Sequence, residues 1–418
     1  MIPHVVIVGG GFGGLYAAKR LAKQSVRVTL IDRRNHHLFQ PLLYQVATAA
    51  LSPGDIAMPV REIFRKNKNI KTLMATVSAI NRSEKVVILE DKREIPYDYL
   101  ILAPGSRHSY FGQDQWEVFS PGLKTLKDAL RVREMILTSF ELAENTQNKT
   151  LISSLLTFVV IGAGPTGIEM AGAIAEIAHQ SLKSNFRSID PGQTKVYLIE
   201  GSNQVLNSYP AKLAAYAQQA LEKRKVTVLL NTRVTDITKK GVTLGTEFIA
   251  AHNIIWAAGN EASPLLKTLD VPCDKSGRVL VQSDLSLATD PKIFVIGDGA
   301  SYQEKDKTLP AIAPVAVQQG RFVGKLIRKK IPKNKRPAFH YVDRGMMANI
   351  GKFDALVLSG PLQSRGFFAW LAWCFVHTYF LIGFRTKILV FTHWVFYFFR
   401  GQRNVRLIVR PIKDEGEK

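Results

Sequence analysis

Cysteine is almost absent from this chain: there are two in 418 residues, Cys273 and Cys374, far apart and in unlike surroundings. That excludes a disulfide framework and a paired redox motif, and it suits a reducing compartment. Acidic residues are also scarce. The 34 Asp+Glu against 56 Lys+Arg give a formal charge of +22 and a pI near 9.9, which implies an anionic partner. The N-terminus has no basic stretch ahead of its apolar run, and Val5-Val6-Ile7-Val8 flows directly into glycines, so this run reads as a strand and not as an export signal. No constellation of metal ligands surrounds His36 and His37, which read as solvated or packing residues, and no metal is expected.

The length allows two or three domains, each burying its own core. The positive charge is unevenly placed, with 19 Lys/Arg and 5 Asp/Glu in residues 321–418. Nucleic acid and anionic lipid would both answer that surplus. The same region holds the longest apolar stretches, which nucleic acid does not require, so a membrane surface is the expected partner and nucleic acid is not.

The segment from His4 to Asp32 reads as strand, glycine turn, helix and strand. Gly9, Gly11 and Gly14 occupy the G-x-G-x-x-G positions, with Phe12 and Gly13 between them, giving a tight turn and close backbone approach to a pyrophosphate at a helix N-terminus. Asp32, 23 residues after Gly9, ends the second strand where a carboxylate can accept from a ribose. The pattern recurs with Gly162, Gly164 and Gly167, Pro165 and Thr166 lying between, and a following strand ends at Glu200. Here the acid stands 38 positions from the first glycine, beyond the usual interval of about 20, so the intervening connection must be longer. Glu200 at a ribose would repel the 2′-phosphate of NADPH and favour NADH.

Late strands open into glycine loops at YDYLILAPGS, with Ala103 and Gly105, and at AHNIIWAAGN, with Ala258 and Gly259. The strand IFVIGDGA then delivers Asp298 between two glycines, placed to return to the first nucleotide. Two fingerprints with a later Gly-Asp-Gly strand resemble the two-dinucleotide-binding-domain flavoproteins, in which the NAD(P)H domain is inserted within the FAD domain. The resemblance covers residues 4 to about 320 and implies an α/β fold with two Rossmann-like domains, FAD in the first site and NADH in the second.

Several segments narrow the resemblance to the type II NADH dehydrogenases. HHLFQPLLYQVATAAL at 36–51 is similar to a run that lies against the flavin in that family, and Phe39, Pro41, Leu42, Leu43 and Tyr44 match it. APVAVQQG at 313–320 resembles the quinone segment, with Gln318 and Gln319 at its glutamine end and Pro314 departing from the pattern. Glu169, in the first turn of the second fingerprint helix, matches a glutamate that the resemblance links to coupling of hydride transfer and quinone reduction. Neither cysteine sits where the disulfide reductases or sulfide:quinone oxidoreductases keep theirs, so both read as unreactive.

Residues 366–384 contain no charged side chain, which makes a spanning helix conceivable by length, but His377, Thr378 and Tyr379 cluster inside the segment. From 385 to 403, Arg385, Thr386, Thr392, His393 and Arg400 form a polar stripe beside Ile388, Leu389, Phe391, Trp394, Val395 and Phe398. That pattern suits a helix lying in the membrane interface, with Arg403, Arg406 and Arg410 adding attraction to lipid. Packing against a second subunit is the other reading of the same aromatic face.

The expected layout is an FAD domain in residues 1–115 and 271–335, an NADH domain in 116–270 and a membrane-anchoring region in 336–418. The expected activity is FAD-dependent oxidation of NADH with two-electron reduction of a membrane quinone, without proton pumping, at the cytoplasmic face of the cell membrane, with a homodimer as a further option. Two other readings stay open, a reductase for a soluble ferredoxin-type acceptor and a non-enzymatic nucleotide-binding redox sensor.

Overall fold

Val5, Val6 and Ile7, and later Phe158, Val159 and Val160, have no exposed surface, as expected of strands buried on both faces between helices. The computed structural model describes residues 2–400, 403 and 405–408, the side chains of Phe398 and Arg400 excepted; Arg410 lies outside the described residues. Its principal elements are β1 (His4–Val8), α1 (Phe12–Leu21), β2 (Arg27–Asp32), α2 (Leu43–Ala47), β3 (Ile70–Met74), β4 (Tyr99–Leu102), α3 (Leu126–Glu144), β5 (Thr157–Ile161), α4 (Pro165–Glu176), β6 (Lys195–Ile199), β7 (Val226–Leu229), β8 (Asn253–Trp256), β9 (Ile293–Val295), α5 (Ala313–Arg328), β10 (Met346–Gly351), β11 (Asp354–Ser359), β12 (Leu362–Gly366), α6 (Phe367–Phe380) and α7 (Phe384–Arg400).

The chain divides into two compact units. The first comprises Met1–Leu38, Ala57–Arg107 and Asn260–Arg344, and the second Phe39–Ile56, His108–Gly259 and Gly345–Lys418. The first holds a five-stranded parallel sheet in the order β9-β4-β1-β2-β3. Parallel neighbours need crossover connections, and α1 supplies the one between β1 and β2. Helices α1 and α5 meet through small residues: a Cβ on Gly320 would lie 2.2 Å from the carbonyl oxygen of Gly13, and one on Gly324 3.0 Å from that of Ala17.

The second unit repeats the device with a four-stranded parallel sheet in the order β7-β6-β5-β8. Against its helix α4 packs an antiparallel sheet of β10, β11 and β12, so closely that a Cβ on Gly172 would lie 2.0 Å from the carbonyl oxygen of Ile350. The charge-free segment 366–384 is not one helix. It enters α6 at Phe367 and turns at Gly383, whose φ of 89° lies in the left-handed region, before α7 begins. At 14 and 17 residues, α6 and α7 fall short of the roughly 20 that cross a hydrocarbon core, and among the described residues no helix is long and apolar enough to cross a membrane.

Candidate active site

The two glycine fingerprints fold into cradles of one geometry. In the first unit Asp32 Oδ2 accepts from the N–H of Gly10 at 2.6 Å and Oδ1 from that of Arg34 at 2.7 Å. In the second, Glu200 Oε2 accepts from Ala163 at 2.8 Å and Oε1 from Ser202 at 3.0 Å. Each acid therefore binds the residue after the first glycine and the residue two places beyond itself. The longer interval before Glu200 is taken up by the turns Ile177–Ser181 and Pro191–Gln193, which leave the sheet geometry unchanged.

Gly9 and Gly162 have φ of 103° and 99°, a region hostile to side chains, and a Cβ on Gly14 or Gly167 would come within 1.9 or 1.8 Å of the first glycine's carbonyl oxygen. The middle glycines differ: among the described residues a Cβ on Gly11 or Gly164 would meet nothing within 4 Å. Both are N-caps without a side-chain cap, so the backbone N–H groups of α1 and α4 stay available to an anion. Phe12 opens α1 and sets its ring edge-on to His37, Gly13 lies under Ile296, and Pro165 and Thr166 form the first turn of α4.

Of the two roles expected for His37, solvated or packing, it takes the second. It is not solvated but 2% exposed, and its Nδ1 lies 3.0 Å from the carbonyl oxygen of Gly10. That oxygen can only accept, so Nδ1 carries the hydrogen and Nε2 keeps a lone pair. Among the described residues Nε2 is buried without a partner, and burial pulls the imidazole pKa down to about 4, so the ring is neutral at pH 7. A free acceptor beside an open anion cradle fits a ligand that combines phosphates with hydroxyl groups, as FAD does. The alternation that places His37 in the short strand His36–Leu38 was the available signal.

The late strands close the first cradle. Ala103 donates to the carbonyl of Val8 at 2.8 Å, Gly105 turns with φ 76°, and Asp298 Oδ2 accepts from Ser106 Oγ at 2.6 Å. Gln319, 1% exposed, accepts from the N–H of Gly297 at 2.7 Å and so pins the turn carrying Asp298. Gln318 pairs both ends of its amide with the backbone of Val342, at 2.9 and 3.0 Å. In the second unit a Cβ on Gly162 would lie 2.8 Å from the N of Ala258, and the carbonyl of Gly259, φ 68°, accepts from Ser109.

Glu169 stands in the second turn of α4, not the first, and is no helix-dipole carboxylate. Burial pushes its carboxyl well above the usual range against a 3.4 Å hydrogen bond from the N–H of Asn349. Pro41 and Leu42 form a 3₁₀ turn leading into α2, where Tyr44 bonds the Asn349 side chain at 2.8 Å and receives Gln45, which in turn accepts from Trp394 at 2.8 Å. With the Asn349 oxygen toward Tyr44, its nitrogen reaches the carbonyls of Asp354 and Gly351 at 3.0 Å each. A cavity of about 40 Å³ opens among Tyr44, Glu169, Glu176, Asn349, His393 and Tyr397, polar enough and large enough for a few waters.

Two expectations at the C-terminus are corrected. Arg403 does not face lipid: it is 5% exposed, bonded to Glu176 and to Thr48, because a buried carboxylate demands a buried cation. Trp394 is likewise turned inward, packed on Trp373 and bonded to Gln45. Cys374 is a free thiol that burial pushes up to about 12, so it stays protonated.

The sequence pattern of the pyridine nucleotide-disulphide oxidoreductases matches residues 3–320. The chain is 41% identical over 416 residues to the type II NADH:quinone oxidoreductase Ndh of Mycobacterium tuberculosis, covering 96% of this chain and 89% of that one. Against the type II NADH:quinone oxidoreductase of Haemophilus influenzae it is 29% identical, covering 88% and 91%. The structure of NDH2 from Plasmodium falciparum in complex with NADH superposes with a TM-score of 0.89 at 19% identity, covering 98% of this chain and all of the other, which shows a common fold. Twin nucleotide cradles on parallel sheets, and relatedness along nearly the whole chain, place this protein in the type II NADH:quinone oxidoreductase family.

Proposed function

We propose that this chain oxidises NADH and delivers both electrons to a membrane quinone at the bilayer surface, without pumping protons. The observation that carries the reading is the pair of matched cradles, one of which ends in Glu200. When bound, FAD would supply the two-electron chemistry that links NADH oxidation to quinone reduction. Gly9, Gly11, Phe12, Gly13, Gly14, Asp32, Ala103, Gly105 and Asp298 would hold it in the first unit; for Pro41 and Leu42 a role toward the flavin rests on the resemblance of the 36–51 run alone. Gly162, Gly164, Pro165, Thr166, Gly167, Ala258 and Gly259 would hold NADH in the second unit, where the Glu200 carboxylate accepts from a ribose 2′-hydroxyl and repels a 2′-phosphate.

Glu169 is assigned a proton-holding role, since burial keeps its carboxyl protonated to higher pH than an ordinary glutamate. Gln319 acts as a positioning residue through the Gly297 turn, and Gln318 would reach a quinone carbonyl on exchanging its Val342 partner.

The C-terminal helices are assigned to the membrane. Phe368, Leu371, Phe375 and Tyr379 on α6, and Phe384, Ile388, Phe391, Val395 and Phe399 on α7, make exposed apolar stripes at helical spacing. Exposed Arg385 at the start of α7 would meet anionic headgroups, and we assign the cytoplasmic face. Pairing of two copies through those stripes is the competing use.

The test is steady-state oxidation of NADH and of NADPH by FAD-loaded protein with a short-chain quinone. NADH-specific quinone reduction supports the reading. Electrons passing only to ferricyanide or to a soluble protein would remove it.

A further inference from the structure

The face of the first unit where α1 and α5 meet carries charge that nothing in the nucleotide cradle uses. Because Gly13 and Ala17 on α1 lie directly against Gly320 and Gly324 on α5, the two backbones approach closely and the long side chains beside that seam are pushed outward. They rim an open groove of about 540 Å³, lined by Tyr16, Lys19, Arg20, Arg321, Phe322 and Lys325. Four of these six are cations and none is acidic.

The ring of Tyr16, on α1, lines the groove and is approached by a cation from each helix. Lys19 Nζ lies 5.0 Å and Arg321 Cζ 4.7 Å from its centroid, so one aromatic quadrupole holds a cation from each helix. A quadrupole orients cations without cancelling their charge. Among the described residues none of the four cations pairs with a carboxylate, although surface cations in this chain elsewhere do, as Arg93 with Asp91 and Arg65 with Glu62. Partial burial and then the neighbouring Arg321 draw the Lys19 ammonium below its ordinary pKa, and no acid opposes them.

We propose that this groove is a binding site for a phosphate-bearing anion, a phosphomonoester or pyrophosphate group, held by Lys19, Arg20, Arg321 and Lys325. Two guanidinium forks can each give paired N–H···O bonds to phosphate oxygens, and two ammonium groups add compact charge at the sides. A single carboxylate would leave most of those donors unused, whereas a group carrying two or more negative charges engages all four. The chemistry is shared by a free polyphosphate and by a lipid headgroup.

The experiment uses the full-length FAD-loaded protein. Inorganic pyrophosphate is titrated by calorimetry at constant ionic strength, and flotation is measured in parallel on vesicles of phosphatidylcholine with and without phosphatidic acid. Three proteins are compared: wild type, the double variant Lys19→Gln/Arg321→Gln, and the charge-keeping Lys19→Arg/Arg321→Lys, which controls for folding together with circular dichroism. The expected result is saturable binding, weakened at least tenfold in the glutamine variant, kept within about threefold in the charge-keeping one, with basal NADH:quinone turnover unchanged in both. Loss in the pyrophosphate arm alone identifies a soluble anion, and loss of the phosphatidic acid increment alone identifies a headgroup. Absence of saturation in both arms, or equal binding by wild type and glutamine variant, overturns the site.

Discussion

Arg403 Nη2 lies 3.0 Å from Glu176 Oε2, with each side chain 4% exposed. Tyr397 donates to the same carboxylate oxygen at 2.6 Å and the N–H of Lys352 to the other at 2.5 Å, while Arg403 Nη1 reaches the carbonyl and hydroxyl oxygens of Thr48 at 2.8 and 2.7 Å. The chain just past α7 is thereby fastened to the end of α4, the helix that carries Glu169 two turns earlier. Removing one member of a buried pair strands the other, so Arg403→Met should cost about 3 to 5 kcal/mol. The double variant Arg403→Met/Glu176→Met should recover most of that loss in denaturant unfolding; an additive double variant would show that the pair is not coupled.

Coenzyme choice should rest on Glu200. Replacing it by Gln keeps an oxygen for Ala163 or Ser202 but removes the charge that repels a 2′-phosphate. The NADH to NADPH ratio of kcat/KM should fall at least tenfold, about 1.4 kcal/mol of discrimination. An unchanged ratio would put the selectivity elsewhere.

Acid should weaken the fold in two windows. Burial holds the imidazoles of His37, His108 and His377 down at about 4, whereas in the unfolded chain they titrate near 6.5. The unfolded state therefore binds more protons between those values, so this stability is complete above about pH 6.5 and is lost on going down to 4. For Asp284, burial pushes the carboxyl up, but hydrogen bonds from Lys333, Ser286 and Arg336 outweigh it and leave the pKa at about 2, so its contribution is present above about pH 4 and disappears as pH falls to 2. Urea unfolding at pH 7, 5.5 and 4.5 should show falling stability, with a shallower slope in His377→Phe. A flat profile over that range would contradict the assignment of neutral buried imidazoles.

The exposed stripes on α6 and α7 make a surface prediction. Phe375 and Phe391 are 72% and 57% exposed, so replacing both by Ser leaves the core untouched. Partition onto anionic vesicles should weaken by at least tenfold, since each ring contributes on the order of 1 kcal/mol when it enters the interface. Unaltered partition accompanied by loss of a dimer in sedimentation would instead assign the face to self-association.

The two βαβ units are legible in the sequence because glycine spacing and strand runs are local, and a Cβ at Gly14 or Gly167 would collide within the same turn. The standing of Glu200 is less legible: its interval from Gly162 looks too long until the excursion at Ile177–Gln193 is seen to return the strand to register. Arg403 escapes sequence reading because its partner Glu176 is 227 positions away, and a basic residue after an apolar helix resembles a lipid anchor. For His37 the alternation of a short strand says that it and His36 face opposite ways, but the contact with Gly10 that decides which of them packs lies 27 positions away. The glutamines of α5 are recognised by resemblance, but only the fold reveals that their amides are engaged with Gly297 and Val342.

The most direct measurement is the yield of quinol per NADH consumed by the FAD-loaded protein in sealed vesicles carrying a long-chain quinone, with internal pH followed at the same time. One quinol per NADH, no turnover of comparable rate with NADPH and no uncoupler-sensitive pH gradient is the expected result. Quinol yield far below NADH consumption, or a gradient that builds with turnover and collapses on adding uncoupler, would contradict it.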